Sequence, residues 1–287
     1  MRYALLLSLL IAPIFMNAQE KPAYRIFDRD GQETSFAALA AAAAQSDMVF
    51  FGELHNNPIA HWLQLELTQA LYEARDSQLI LGAEMFEADN QLLLDEYLLQ
   101  HISQKSFEDE ARLWNNYPTD YKPLVEFARQ NRLYFVATNI PRRYANLVYR
   151  EGIDRLADLS AEAQRYMAPL PITVDMTIPS YQDMLDMMGG HGGGETLVQA
   201  QAVKDATMAY FVDKNWREGY TFLHFNGSYH SNRWEGIVWY LKNQFAPERS
   251  FLTINTVEQT DIQSLSEDNA GLADFTICVP ASMTKTY

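Results

Sequence analysis

The segment DMVFFGELHNNP, residues 47–58, joins an apolar run to a polar turn and then to the start of a helix. Residues 48–51 are typical of a buried strand, while Asn57 and Pro58 are suited to the N-cap and the first turn of a helix. A strand, a loop and a helix in this order form the repeating unit of a parallel sheet. The segment therefore predicts an α/β fold.

The same unit recurs along the chain. Five later apolar runs predict further strands: QLILGAE (78–84), RLYFVATNIP (132–141), GYTFLHFNGSYH (219–230), RSFLTI (249–254) and DFTICVP (274–280). Residues 152–217 carry helical patterns without a clear strand. We therefore expect a mainly parallel sheet flanked by helices, with a smaller helical subdomain inserted at 152–217.

The N-terminal segment, residues 1–18, predicts a signal peptide. Arg2 precedes an apolar run over residues 4–15, and Ala18 is a small residue suited to cleavage. An N-terminal anchor is the alternative, but the run is shorter than the roughly 20 residues that span a membrane. The sole cysteine, Cys278, lies far from the cut, so a lipoprotein is not indicated. We expect export to the periplasm or cell envelope, with residues 19–287 as the mature domain.

The charge balance narrows the range of partners. The chain has 22 Lys and Arg against 37 Asp and Glu, a formal net charge of −15. A surface of this sign repels phosphate backbones, so a nucleic-acid partner is not expected. A small molecule is compatible with this charge.

Two short frames of the form Gly-x-x-His follow predicted strands, GELH at 52–55 and GSYH at 227–230. Ligands of open parallel sheets bind outside the carboxyl ends of the strands, where these residues are expected to meet. Imidazole and carboxylate groups together suit a divalent metal ion. The pattern predicts a metal site at His55, Glu84 and His230, supported by His61, Asn139, Arg142 and Asn226. The alternative is that both histidines are hydrogen-bonded loop residues.

The motifs together resemble the ChaN-like haem-binding uptake family of the Tiki superfamily. GELHNNPIAHWLQ (52–64) is similar to the family's opening motif, and the resemblance continues through AEMFE (83–87), TNIPRR (138–143), QAVKDATMA (201–209) and GSYHSNRWEGI (227–237). The resemblance implies an α/β sheet with a helical subdomain. It also implies haem binding linked to iron uptake, with envelope uptake components and a second copy of the chain as further partners. It does not assign the haem-binding residues; a tyrosine or an imidazole could bind the iron.

Two other functions are compatible with the sequence. Members of the wider superfamily include metal-dependent proteases and esterases, and a hydrolase of that kind would use the metal at His55, Glu84 and His230 to activate water, with Glu53 as general base. A non-catalytic binding module that retains the motif for structural reasons is the third. Haem binding is the function that the resemblance favours.

Overall fold

The computed structural model of the protein describes residues 21–187 and 194–287, so the predicted signal peptide lies outside the described residues. The strands are β1 Arg25–Asp28, β2 Glu33–Thr34, β3 Met48–Glu53, β4 Leu79–Glu87, β5 Tyr134–Asn139, β6 Thr221–Gly227, β7 Phe251–Gln259 and β8 Phe275–Pro280. The α-helices are α1 Phe36–Ala43, α2 Pro58–Ala74, α3 Gln91–Leu98, α4 Gln104–Glu110, α5 Lys122–Asn131, α6 Arg142–Glu151, α7 Ala161–Gln164, α8 Pro179–Met187, α9 Gly194–Asn215 and α10 Ile237–Tyr240.

The strands form one sheet in the order β2-β1-β8-β7-β3-β6-β4-β5. The run from β8 to β5 is parallel throughout, and β1 and β2 add an antiparallel edge. The predicted α/β fold with a mainly parallel sheet is confirmed. The sequence analysis did not predict β1 and β2, which are short.

Helices cover both faces of the sheet, which explains why β3, β4 and β6 are buried along their whole length. Val49 and Phe51 of β3 pack in the core beneath α1 to α5. Met48 and Phe50, which point the other way, pack in the core beneath α6, α9 and α10. The crossover helices lie over the two faces of the sheet and leave the carboxyl ends of its strands uncovered. These ends together are called the carboxyl edge of the sheet below.

The loop between β3 and α2 is fixed by a helix cap. The Asn57 side chain accepts hydrogen bonds from the backbone N–H groups of Ile59 (3.0 Å) and Ala60 (3.2 Å), and Pro58 occupies the first helical position. The cap sets the direction in which the chain leaves β3. It therefore also sets the position of the four residues between the strand and the helix.

The segment predicted as a helical insertion contains no strand in its described residues, 152–187 and 194–217. Its last helix, α9, packs in the same core as Phe50 and Phe222 of the sheet. A small separate core joins α8 to the start of α9 through Ile178, Tyr181, Val198 and Ala202. The helical character agrees with the expectation, while the boundaries of a subdomain at 152 and 217 stay a prediction. Over the described residues, no helix has the length and apolar character needed to cross a membrane.

Candidate functional site

The two Gly-x-x-His frames lie side by side at the carboxyl edge of the sheet. β3 and β6 are parallel neighbours, with Gly52 opposite Asn226 and Glu53 opposite Gly227. β4, which carries Glu84, pairs with the other side of β6. Strand order therefore brings together side chains that are far apart in the sequence.

Each glycine makes room for the other frame. A Cβ atom on Gly52 would lie 3.0 Å from Ser228 Cα, and one on Gly227 would lie 2.8 Å from Cε1 and Nε2 of His55. Both distances are too short for a side chain without displacement of the neighbour. The backbone of Gly227 is extended, with φ −60° and ψ 143°, so close packing and not backbone strain requires a glycine there.

Glu53 orients His55. The Glu53 side chain is 1% exposed. Its Oε1 accepts from Tyr121 OH at 2.7 Å and lies 2.9 Å from His55 Nδ1, and its Oε2 accepts from Gln64 Nε2 at 2.5 Å. These contacts suit Glu53 to hold the His55 ring with Nε2 directed toward Gly227. A role for Glu53 as general base stays a prediction.

His55 is the more exposed imidazole, with 38% of its side chain accessible. Burial acts to lower the pKa of His55, but the hydrogen bond to Glu53 and the charges of Glu84 and Glu53 outweigh it, so the pKa is raised. Trp114 packs edge-on against the ring at a centroid distance of 5.0 Å. Over residues 21–187 and 194–287, only Nδ1 of the His55 ring contacts a carboxylate, which leaves Nε2 available.

His230 lies between two carboxylates. Its Nε2 is 3.2 Å from Glu84 Oε1 and its Nδ1 is 2.5 Å from Asp205 Oδ1. Glu84 Oε2 also accepts from the backbone N–H of Gly227 at 2.8 Å, and Tyr181 OH donates to Asp205 Oδ2 at 2.8 Å. The second histidine is therefore part of a buried ion-pair network.

The charges of this network follow from its contacts. Burial would lower the pKa of His230, but the charges of Glu84 and Asp205 outweigh it and raise the pKa to about 10. Burial would raise the pKa of Glu84, yet the imidazolium of His230 holds it well below its usual range. The contacts thus favour the charged forms of His230 and Glu84, while burial raises the pKa of Asp205 despite its contact with His230.

The three predicted metal-ligating residues thus come together, but as an ion pair with a nearby second imidazole. In the parts of the chain that the structure covers, 21–187 and 194–287, no group of three or more His, Cys, Asp or Glu side chains is arranged to hold a metal ion. The predicted divalent metal is therefore not supported.

The other residues predicted to support the site have separate roles. His61 is buried behind the loop, with Nε2 3.0 Å from the carbonyl oxygen of His55. Asn226 Nδ2 donates to the Gly227 carbonyl and to Ser231 Oγ, both at 2.9 Å. Asn139 Nδ2 donates to the Glu84 carbonyl at 3.0 Å. These three side chains fix the backbone around the site, whereas Arg142 lies to one side of it in a separate cavity.

A cavity of about 700 Å³ opens above these residues. His55, Glu84, Gly227 and His230 form its polar floor, and its walls include Leu54, Tyr181, Met184, Tyr229 and Tyr287. Tyr229 is 61% exposed and stands beside His230 at the rim. The volume and the mixture of apolar walls with a few polar groups are typical of a small-molecule site.

Several residues of the site had no role assigned from sequence. Asp205, Gln201 and Lys204 stand on one face of α9, because their spacing of three and four residues places them on adjacent turns. That spacing is a signal that could have identified them. Tyr121 and Tyr181 follow no such rule, since only the packing of their helices brings them to Glu53 and Asp205.

The sequence matches the profile of a family described as "Haem-binding uptake, Tiki superfamily, ChaN" over residues 39–241. No curated protein matches the chain at a significant level.

Among solved structures, the fold is similar to that of ChaN from Campylobacter jejuni, described as showing cofacial haem binding. The TM-score is 0.65 at 18% identity, covering 88% of this chain and 96% of the other. It is also similar to a mutant of the erythromycin esterase EreC in its open conformation, with a TM-score of 0.53 at 12% identity, covering 92% and 98%. At these identities the two structures show a shared fold.

Proposed function

Because this chain belongs to the ChaN family of haem-binding uptake proteins in the Tiki superfamily, we propose that it binds haem in the cavity at the carboxyl edge of its sheet. The observation that carries the proposal is the cavity of about 700 Å³, which combines apolar walls with oxygen and nitrogen donors. Haem is an apolar macrocycle whose iron takes a nitrogen or oxygen ligand, so the residues present fit it.

Two side chains of the cavity are placed to bind the iron. Tyr229 offers a phenol oxygen at the rim, 61% exposed. His55 offers Nε2, because Glu53 holds only its Nδ1. His230 is a poorer ligand, since carboxylates contact both of its ring nitrogens. When bound, the iron would supply the redox and ligand-exchange chemistry, while the chain's residues bind and orient the macrocycle.

Export and uptake are the wider part of the proposal. The signal peptide predicted at residues 1–18 supports export to the periplasm or cell envelope, and the family's description supports a role in haem uptake. Envelope uptake components would then receive the haem. A homodimer rests on the family resemblance alone. The metal-dependent hydrolase is not favoured, because over residues 21–187 and 194–287 no group of three or more His, Cys, Asp or Glu side chains is arranged to hold a metal ion.

Haemin titration of the purified mature chain tests the proposal. We expect the Soret band to shift and to saturate at stoichiometric haem, because the cavity is preformed. Replacing the iron ligand, through Tyr229→Phe or His55→Ala, should move the Soret maximum. His101→Ala is the control, since His101 is exposed and absent from the cavity walls. A spectrum that remains that of free haemin at every ratio would overturn the proposal.

A further inference from the structure

A second cavity, the side cavity, adjoins the haem cavity proposed above. Its volume is about 280 Å³, and it shares Glu84 and Lys204 with the larger cavity. Arg142 and Asn139 line its other side, beside Tyr149, which is 45% exposed. The two cavities therefore adjoin each other at Glu84 and Lys204.

The carboxylates of the side cavity already have partners. Glu84 contacts His230 at 3.2 Å and accepts from Gly227 N–H at 2.8 Å. Glu87 Oε2 accepts from Arg112 Nε at 2.9 Å. Their charges are therefore compensated within the protein.

The cations of the side cavity are free by comparison. Arg143 forms an ion pair with Asp89 at 2.6 Å. The neighbouring Arg142 has 78% of its side chain exposed, and its ion pair with Glu87 is long, at 4.0 Å. Lys204 forms no salt bridge with any residue of 21–187 or 194–287. Lys204, which has no ion pair in the described residues, and Arg142, which has only the 4.0 Å contact with Glu87, are therefore the cations available to an anionic ligand in a chain with 37 acidic against 22 basic side chains.

Asn139 also lines the side cavity. It is 9% exposed, and its Oδ1 has no hydrogen-bond partner, although its Nδ2 donates to the Glu84 carbonyl. That oxygen has almost no accessible surface, so it is a buried polar atom behind the cavity wall and does not itself point to a ligand.

We propose that the side cavity binds the propionate carboxylates of haem, through Lys204 and Arg142, while the macrocycle occupies the larger cavity. This inference rests on the proposed haem binding. Lysine and arginine both form charge-assisted hydrogen bonds with carboxylates, and the arginine fork can bind both oxygens. Lys204 lines both cavities, whereas Arg142 lines the side cavity and not the larger one, so the acidic groups of the ligand would lie apart from its apolar body.

Haemin and haemin dimethyl ester distinguish this role, because the ester has the same macrocycle and iron but no free carboxylate. We expect the Lys204→Met/Arg142→Met double variant to weaken haemin binding about tenfold, and to leave the Kd for the ester unchanged. The control is Lys214→Met/Arg150→Met, which removes two cations from the same two helices, α9 and α6, outside both cavities.

Each outcome bears on one claim. The carboxylate site is supported if the test variant binds haemin more weakly but binds the ester as before, and the control variant binds both compounds normally. The carboxylate site is overturned, while haem binding stands, if the test variant binds haemin and the ester equally more weakly or if its haemin binding is unchanged. Equal weakening by both double variants would show a general effect of net charge and would also overturn it. If the unmodified protein binds neither compound, the haem proposal itself is wrong and the carboxylate site is rejected with it.

Discussion

Gly227 has no side chain, and this allows the two Gly-x-x-His frames to contact each other. A Cβ atom on Gly227 would lie 2.8 Å from Cε1 and Nε2 of His55 and 3.6 Å from Glu84 Oε2. The absence of that atom lets the His55 ring pack against Gly227, beside Glu84. Gly52 plays the reciprocal part for Ser228 of the other frame. The spacing Gly-x-x-His thus couples two loops: the glycine of each frame lies against a residue of the other.

Substitution of Gly227 by alanine tests this coupling. We expect Gly227→Ala to destabilise the fold by about 1–3 kcal/mol, because the added methyl group overlaps the His55 ring. The Gly227→Ala/His55→Ala double variant should recover much of that loss, since the ring is then absent. Chemical denaturation of the wild type, both single variants and the double variant gives the coupling energy. Strictly additive effects would show that the ring and the glycine are energetically independent.

The residue patterns predicted where the two histidines meet, but they did not predict the chemical environment of those histidines. His55, Glu84 and His230 do gather at one edge, as their positions after three strands indicated. The sequence analysis did not anticipate Asp205, which contacts His230 from a helix and, together with Glu84, raises the pKa of that imidazole. A pattern of strand ends predicts the site's location, whereas the charge of a buried group depends on every element packed against it.

At the scale of elements, the β3–α2 connection holds the site's first loop. Asn57 caps α2 and also donates from Nδ2 to Glu258 Oε1 of β7 at 3.3 Å. His61 and Asn116 each place a side-chain nitrogen 3.0 Å from the carbonyl oxygen of His55. A helix cap and two side chains thus fix the loop that carries the exposed imidazole.

Removal of the cap should loosen this loop. We expect Asn57→Ala to lower the free energy of unfolding by about 1–2 kcal/mol, because two N–H groups of the first turn lose their acceptor. Asn57→Ser, which retains an oxygen for capping, is the matched control and should lose less. Urea unfolding followed by circular dichroism measures both. Equal losses in the two variants would show that capping is not the source of the stability.

Regular elements were predictable where local patterns are strong. The runs at β3, β4, β5, β6, β7 and β8 were identified because burial on both faces makes them continuously apolar. β1 and β2 were missed because they have only four and two residues. The place of α9 in the main core also could not be read from the sequence, since any amphipathic helix could equally have packed in a separate subdomain.

At the scale of the whole molecule, strand order turns separate motifs into one cavity. β6 lies between β3 and β4, so the last motif in the chain is placed between the first two. Helices α8 and α9, which pack against each other, then wall the cavity: α8 supplies Tyr181 and Met184, and α9 supplies Gln201 and Lys204. The polar floor and apolar walls therefore come from different regions of the sequence.

Anomalous diffraction at the iron absorption edge, from crystals grown with haemin, tests the central claim most directly. We predict a single strong iron peak for each chain in the cavity lined by His55, His230 and Tyr229, with density for the macrocycle between the floor and α8. An iron peak at another surface of the protein, with this cavity free of macrocycle density, would contradict the account.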